Sequence, residues 1–287
     1  MHSCLFASDL HGDRSRYAKL FHAIAEEKPA ALFLGGDLLP SGYSLANASM
    51  DLPADFAGEY IVPEFSRLQR DLGGDYPKVF VIFGNDDPRS HEPAMAEGAE
   101  RGLWTYAHNR RASLGSYEIY GYACVPPTPF LLKDWDRYDV SRSIDPGCVS
   151  PEEGFYSVPL DSSETKWSTI EDDLRRLASD TDLTNAIFLF HTPPYETLLD
   201  RAALDGRTID HVPLDVHVGS IAVRRFIEER QPLVTLHGHI HESARLTGSW
   251  RDRIGRTHAL SAAHDGPELA LVRFELSDPA GAERVLL

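Results

Sequence analysis

Five short and almost unbroken apolar runs punctuate the chain: Cys4 to Ala7, Ala31 to Leu34, Val79 to Phe83, Ala186 to Phe190 and Leu233 to Leu236. A strand with one wet face alternates apolar and polar positions, whereas a continuous run bounded by Gly, Asp or His suits a strand covered on both faces. Between the runs the spacing changes to that of a helix. Tyr17, Leu20, Phe21 and Ile24 recur on one face and stop before Pro29, Ile170, Leu174 and Leu177 repeat the pattern, and Val223, Phe226 and Ile227 do so after Ser220. Strand and helix in alternation predict an α/β fold with a mostly parallel sheet. A second group of segments, Tyr117 to Cys124, Phe155 to Leu160 and Leu269 to Leu276, has the alternating character of added antiparallel strands. Residues 38–60 and 125–154 show neither period. Long loops of this kind serve as lids or specificity elements, and Phe130, Trp135 and Tyr138 are placed to stack on a ligand, although packing into the body is the more ordinary role for each. No repeat, linker or shift of composition divides residues 1–287, which read as a single domain.

Each apolar run ends in residues that bind metals. In order they are Ser8-Asp9-Leu10-His11-Gly12, Gly35-Gly36-Asp37, Gly84-Asn85-Asp86-Asp87, His191-Thr192-Pro193-Pro194 and Gly238-His239-Ile240-His241. One such triplet is common by chance, and a lone His in an apolar run is more often a satisfied core residue. Five in this order are not explained that way. Ligands of open α/β sheets collect at the carboxyl ends of the strands, so Asp9, His11, Asp37, Asn85, His191, His239 and His241 are expected to converge in one pocket. Two carboxylates, one amide and four imidazoles exceed the needs of one ion and match two. Oxygen and nitrogen donors without thiolate favour Mn, Fe, Zn, Ni or Co over Ca or a sulfur-held zinc. Two ions about 3.5–4 Å apart suit in-line displacement at phosphorus.

With these motifs the chain resembles the calcineurin-like metallophosphoesterase family over essentially its whole length. The resemblance implies a four-layer αββα sandwich with the metal site at the strand carboxyl ends. It implies that Asp9, His11 and His241 hold one ion, that Asn85, His191 and His239 hold the other, and that Asp37 bridges them. Asp37, Asn85, Asp86 and His239 then lie closest to the chemistry, and a water or hydroxide between the ions is the nucleophile. One position departs from the pattern. Many family members read Gly-Asn-His-Asp or Gly-Asn-His-Glu at the third motif, where the His binds phosphate and protonates the leaving group, and here that position is Asp86. Beside two cations a carboxylate is held ionised, which makes it a poor general acid. His211 and His217 are the candidates to replace it, against the plainer reading of two histidines in a surface loop.

Charge counting favours a phosphodiester. Two divalent ions less the charges of Asp9, Asp37 and a bridging hydroxide leave a centre near +1, suited to a monoanion. A monoester dianion calls for further cations, for which Arg14 and Arg16 are the nearest in sequence, although a solvated helix start is the more ordinary reading of them. A helix beginning after Ser220 offers its N-terminus to phosphate, or else Ser220 is only its cap. The formal net charge of −16 argues against a broad nucleic-acid footprint and leaves a small phosphoester as the expected partner. Three cysteines without CxxC spacing point to neither a disulfide framework nor a thiolate site. The first strand follows Met1 almost at once, and no apolar run approaches the roughly 18 residues of a membrane span, so the cytoplasm is the expected compartment.

Overall fold

The structure, a computed structural model, describes residues 3–40 and 53–287, apart from the side chains of residues 162 and 163. The expected strands form the centres of two mixed sheets. In the first, β1 (Ser3–Ala7), β2 (Ala31–Gly35), β3 (Lys78–Ile82) and β4 (Thr105–Tyr106) run parallel. Beyond β1, β13 (Ala270–Glu275) pairs antiparallel with it, and β14 (Asp278–Leu286) closes the edge. In the second sheet β6 (Tyr117–Tyr122), β7 (Ala186–Phe190), β10 (Val234–His237) and β12 (Thr257–Ser261) run parallel, with β5 (Arg110–Leu114) and β11 (Arg251–Ile254) antiparallel at the edges. The sheets face each other, β2 against β7 and β3 against β6. β2 and β7 are buried along their whole length, which is why their sequences do not alternate.

The described helices are α1 (Arg14–Glu27), α2 (Val62–Leu72), α3 (Glu92–Glu100), α4 (Ser162–Trp167), α5 (Ile170–Ala178), α6 (Ile221–Arg230) and α7 (Ser243–Thr247). α1 buries Tyr17, Leu20, Phe21 and Ile24, and its Phe21 meets Phe65 of α2 edge to face beside the first sheet. On the far side of the second sheet Phe226 of α6 packs on Phe188 and Phe190, while Tyr122 donates to Asp173 of α5. The result is an α/β sandwich of two mixed sheets with helices outside them. No disulfide joins Cys4, Cys124 or Cys148, and among the described residues no helix is long and apolar enough to cross a membrane.

Three expectations need correction. Phe155 to Leu160 is not a strand. Phe155 is 57% exposed and makes only an isolated bridge to Leu132, and the Ser157 N–H is taken by the Asp134 carboxylate instead of a ladder. The Tyr117–Tyr122 strand is antiparallel to β5 but parallel to β7, so it lies inside the second sheet. In the segment 38–60, residues 41–52 lie outside the description, and the remainder is not irregular throughout. Phe56 and Ala57 are buried, and a helical turn over Ala57–Ile61 leads directly into α2.

Candidate metal centre

The loops that follow β1, β2, β3, β7 and β10 meet at one edge of the sandwich. Those after β1, β2 and β10 leave their strands through tight bends. Asp9, His11, Asp37 and His239 all have positive φ, between 47° and 74°, a conformation that residues with a Cβ adopt only at a cost of about 1–3 kcal/mol and that clusters at functional sites. Long-range backbone bonds fix the bends: Asp9 N–H donates to Gly36 at 2.9 Å and His11 N–H to Asp37 at 2.8 Å. His239 N–H donates to the Asp9 carboxylate at 3.0 Å, which joins the first sheet to the second.

Two groups of side chains result, and they share Asp37. Donor atoms of Asp9, His11, Asp37 and His241 lie within 4.8 Å of one another, as do those of Asp37, His191 and His239. His11 Nε2 and His241 Nε2 are 3.2 Å apart, and His241 Nε2 is 3.3 Å from Asp9 Oδ1. In the second group the orientation of His191 is fixed unambiguously. Its Nδ1–H donates to the Gly35 carbonyl at 2.8 Å, which turns Nε2 toward Asn85 Oδ1 at 3.1 Å and Asp37 Oδ2 at 3.3 Å. Neither oxygen can donate, so that corner calls for a cation or an extra proton. Two buried polar atoms in the other group, Asp9 Oδ2 and His11 Nδ1, have no hydrogen-bond partner among the described residues. Oxygen and nitrogen donors in two adjoining sets that share a carboxylate fit two divalent transition ions.

The electrostatics agree with that fit. Burial alone would raise the Asp9 carboxyl, but the hydrogen bond from His241 brings it down to about 2, and His191 likewise holds Asp37 well below the usual carboxylate range. Burial and the neighbouring His191 push His239 down to about 3, so its imidazole is neutral and ready to coordinate. Burial opposes charge on His191 as well, yet Asp37 outweighs it and lifts that imidazole to about 10. Without metal, His191 therefore carries the proton that the two oxygens require.

Residues outside the seven also shape the centre. Asp87, which carried no signal of its own in the sequence, is wholly buried and accepts from the N–H groups of Leu38, Leu39 and Gly84, so it ties the loop carrying Asp37 to the loop carrying Asn85. Asp86 donates its N–H to Asp37 at 2.9 Å, and its carboxylate stands 3.7 Å from His11 Nδ1. Burial and then Asp37 push that carboxyl up to about 7 in the metal-free protein, the direction opposite to the one two cations impose. Arg16 is not a solvated helix start. It donates to the carbonyls of Asp9 at 2.6 Å and Gly266 at 2.5 Å and so braces the first bend, while Arg14 stacks over Tyr60. The N-terminus of α6 is not open to phosphate either: Ser220 caps Val223 N–H, and Asp139 accepts from Ile221 and Ala222.

A cavity of about 540 Å³ opens over Asp37, Asn85, Asp86, His239 and His241. One wall is the 125–154 segment, whose Phe130 is exposed beside Pro127 and Pro146. Trp135 and Tyr138 are instead core residues, Trp135 donating to the Asp87 carbonyl at 2.6 Å and Tyr138 bonded to Ser150. Another wall, which periodicity did not single out, is the stretch from Ala202 to Val218, including the small hairpin of β8 (Thr208–Ile209) and β9 (Val212–Pro213). His217 lines the cavity, whereas His211 is exposed in the hairpin turn and does not.

A family model for calcineurin-like phosphoesterases matches residues 2–243. The chain belongs to that family. Residues beyond the match supply β11 to β14, so this calcineurin-like phosphoesterase completes both sheets with its last strands. A 78-residue stretch is 36% identical to the uncharacterized protein MJ1162 of Methanocaldococcus jannaschii, covering 26% of this chain and 30% of that one. The crystal structure of TT1561 from Thermus thermophilus superposes with a TM-score of 0.57 at 16% identity, over 99% of this chain and 98% of the other. Another solved structure reaches 0.62 at 19% identity over 99% and 98% of the two chains. These likenesses support the fold.

Proposed function

We propose that the protein hydrolyses phosphodiesters with two divalent ions, Asp9, His11 and His241 holding one, Asn85, His191 and His239 the other, and Asp37 both. The observation that carries this reading is the shared Asp37 between two adjoining donor sets, with His191 Nε2 turned toward the Asn85 and Asp37 oxygens. Two bound ions would supply Lewis acidity and water activation at neutral pH. The chain's own residues do the rest. Asp87 and Arg16 fix the bends, Asp86 faces the reacting region, and the walls formed by Phe130 and by Ala202 to Val218 exclude water and hold the ester's substituents.

The preference for diesters over monoesters rests on charge. Besides the two donor sets and Asp86, the cavity is lined by Asp145, Asp215 and Glu242, with Arg207 as the single Arg or Lys among the described residues. A monoester dianion would meet that acidic rim unfavourably, and a diester monoanion less so. Metal-stripped protein reconstituted with Mn²⁺, assayed on a nitrophenyl diester and the matching monoester with His239→Ala as control, tests the reading. Metal-dependent diester turnover that disappears in the variant is expected. Faster monoester turnover would reverse the preference, and two bound metals with no turnover would make the protein a binding module.

A further inference from the structure

We infer that His217, positioned by Asp200, donates the proton to the leaving oxygen of the phosphoester, an assignment that rests on the hydrolase reading above. The third motif places an aspartate where the resemblance leads one to expect a histidine, and neither Asp37 nor the ligand imidazoles have a proton to spare once they hold a cation. His217 comes to the same cavity from a different part of the chain.

Its placement is too strongly determined for a loop histidine. Asp200 is fully buried, and its carboxylate accepts from the N–H groups of Glu196 at 3.0 Å, Thr197 at 2.9 Å and Gly219 at 3.2 Å. The bond it then takes is from His217 Nδ1, at 2.8 Å. Burying a carboxylate is costly unless every lone pair is used, and here three backbone donors and one imidazole use them. The backbone of His217 is held as firmly: it bridges Arg201, and its N–H donates to Asp215, whose other oxygen accepts from Tyr195. The Tyr195 ring meets the imidazole edge to face. With Nδ1 committed to a carboxylate, Nε2 is the nitrogen left for the cavity, and among the described residues no protein group engages it. An aspartate that fixes the tautomer and direction of a histidine is a known arrangement for proton transfer.

The step balances simply. Water forms the new P–O bond and releases one proton to solvent. The bond to the leaving group breaks with its electron pair going to that oxygen, which takes the His217 Nε2 proton, and the neutral imidazole recovers a proton from solvent.

The test compares wild type, His217→Ala and His217→Gln, all loaded with Mn²⁺ to equal metal content, on bis(4-nitrophenyl) phosphate and on a dialkyl phosphodiester. Nitrophenolate departs without a proton and alkoxide does not, so the variants should lose about 10²–10⁴-fold on the dialkyl ester and less than about tenfold on the nitrophenyl ester. Equal losses on both esters, or none, overturn the assignment while leaving the hydrolase reading intact. Failure of the wild type on both esters removes the two together. Independently of activity, nitrogen-edited NMR of the metal-free protein should show His217 with a protected Nδ1 proton whose signal moves upfield in Asp200→Asn. An exposed Nε2–H tautomer, or a signal indifferent to Asp200→Asn, would overturn the positioning role of Asp200.

Discussion

Gly84 lies between the two residues that organise the centre, and a single methyl group there tests whether the site depends on close packing. A Cβ at Gly84 would sit 2.3 Å from Asp37 Oδ1, 2.5 Å from His191 Cε1 and 2.6 Å from Asp37 N. Ordinary contact begins at 3.4 Å, so the first approach falls short by 1.1 Å. None of the three atoms can retreat freely. The Asp37 nitrogen is backbone, Asp37 Oδ1 accepts from Asp86 N–H, and the His191 ring is pinned by the Gly35 carbonyl. Gly84→Ala should therefore cost about 1–3 kcal/mol as overpacking. That corresponds to a fall in Tm of roughly 2–10 °C for a domain of this size. Displacing Asp37 and His191 by about 1 Å should also lower kcat/KM on the nitrophenyl diester by about 10²-fold. Thermal melts of the metal-free variant, its Mn²⁺ stoichiometry and its diester kinetics are the measurements. Gly74→Ala is the control, since among the described residues nothing lies within 4 Å of that Cβ. A Gly84→Ala protein with wild-type Tm, two bound ions and unchanged turnover would refute the claim that the donor sets are held by close packing.

Metal uptake should release a proton from His191. Its pKa in the metal-free fold is raised to about 10, so apparent affinity should rise with pH toward that value, and titration calorimetry in buffers of different ionisation enthalpy should detect the proton. The sign for the empty protein is the reverse: the His191–Asp37 contribution to stability is fully present below the unfolded pKa of 6.5 and is lost as pH rises through about 10, which pH-dependent denaturation would reveal. Asp87→Ala leaves the N–H groups of Leu38, Leu39 and Gly84 without their acceptor and should destabilise by at least about 3 kcal/mol, measured by urea unfolding. Lys133→Met strands the Asp136 carboxylate, which is fully buried with Lys133 at 2.6 Å, and should cost about 3–5 kcal/mol while raising KM, because Asp136 also holds Thr128 in the cavity wall.

What the sequence reveals here follows from how local each signal is. β1, β2, β3, β7 and β10 are legible because burial on both faces leaves an unbroken apolar run, and the motif residues are legible because they follow directly on those runs. α1 is equally clear, its apolar stripe ending at Lys28 in the left-handed conformation. The rest depends on partners distant in the chain. Asp87 stands next to a recognisable motif, yet its role lies in N–H groups 48 and 49 residues earlier. Arg16 looks like a helix-start cation until the fold brings Gly266 to it. Phe155 to Leu160 has the alternation of a strand, but its pairing stops at the single bridge from Phe155 to Leu132, and the Asp134 carboxylate takes the Ser157 N–H. The sequence offers His217 and His211 alike as candidate acids, and what separates them is Asp200 and the cavity that His217 lines.

The bond from His239 N–H to Asp9 spans 230 residues, so the site's assembly waits for a segment made long after its first residues. On the proposed assignment one donor set waits for His239 and the other for His241, two residues apart in a chain of 287. A growing polypeptide would then present Asp9, His11 and Asp37 well before either proposed donor set could close, and both sets would close within two residues of each other, so neither ion would have a complete site to itself while the other waits.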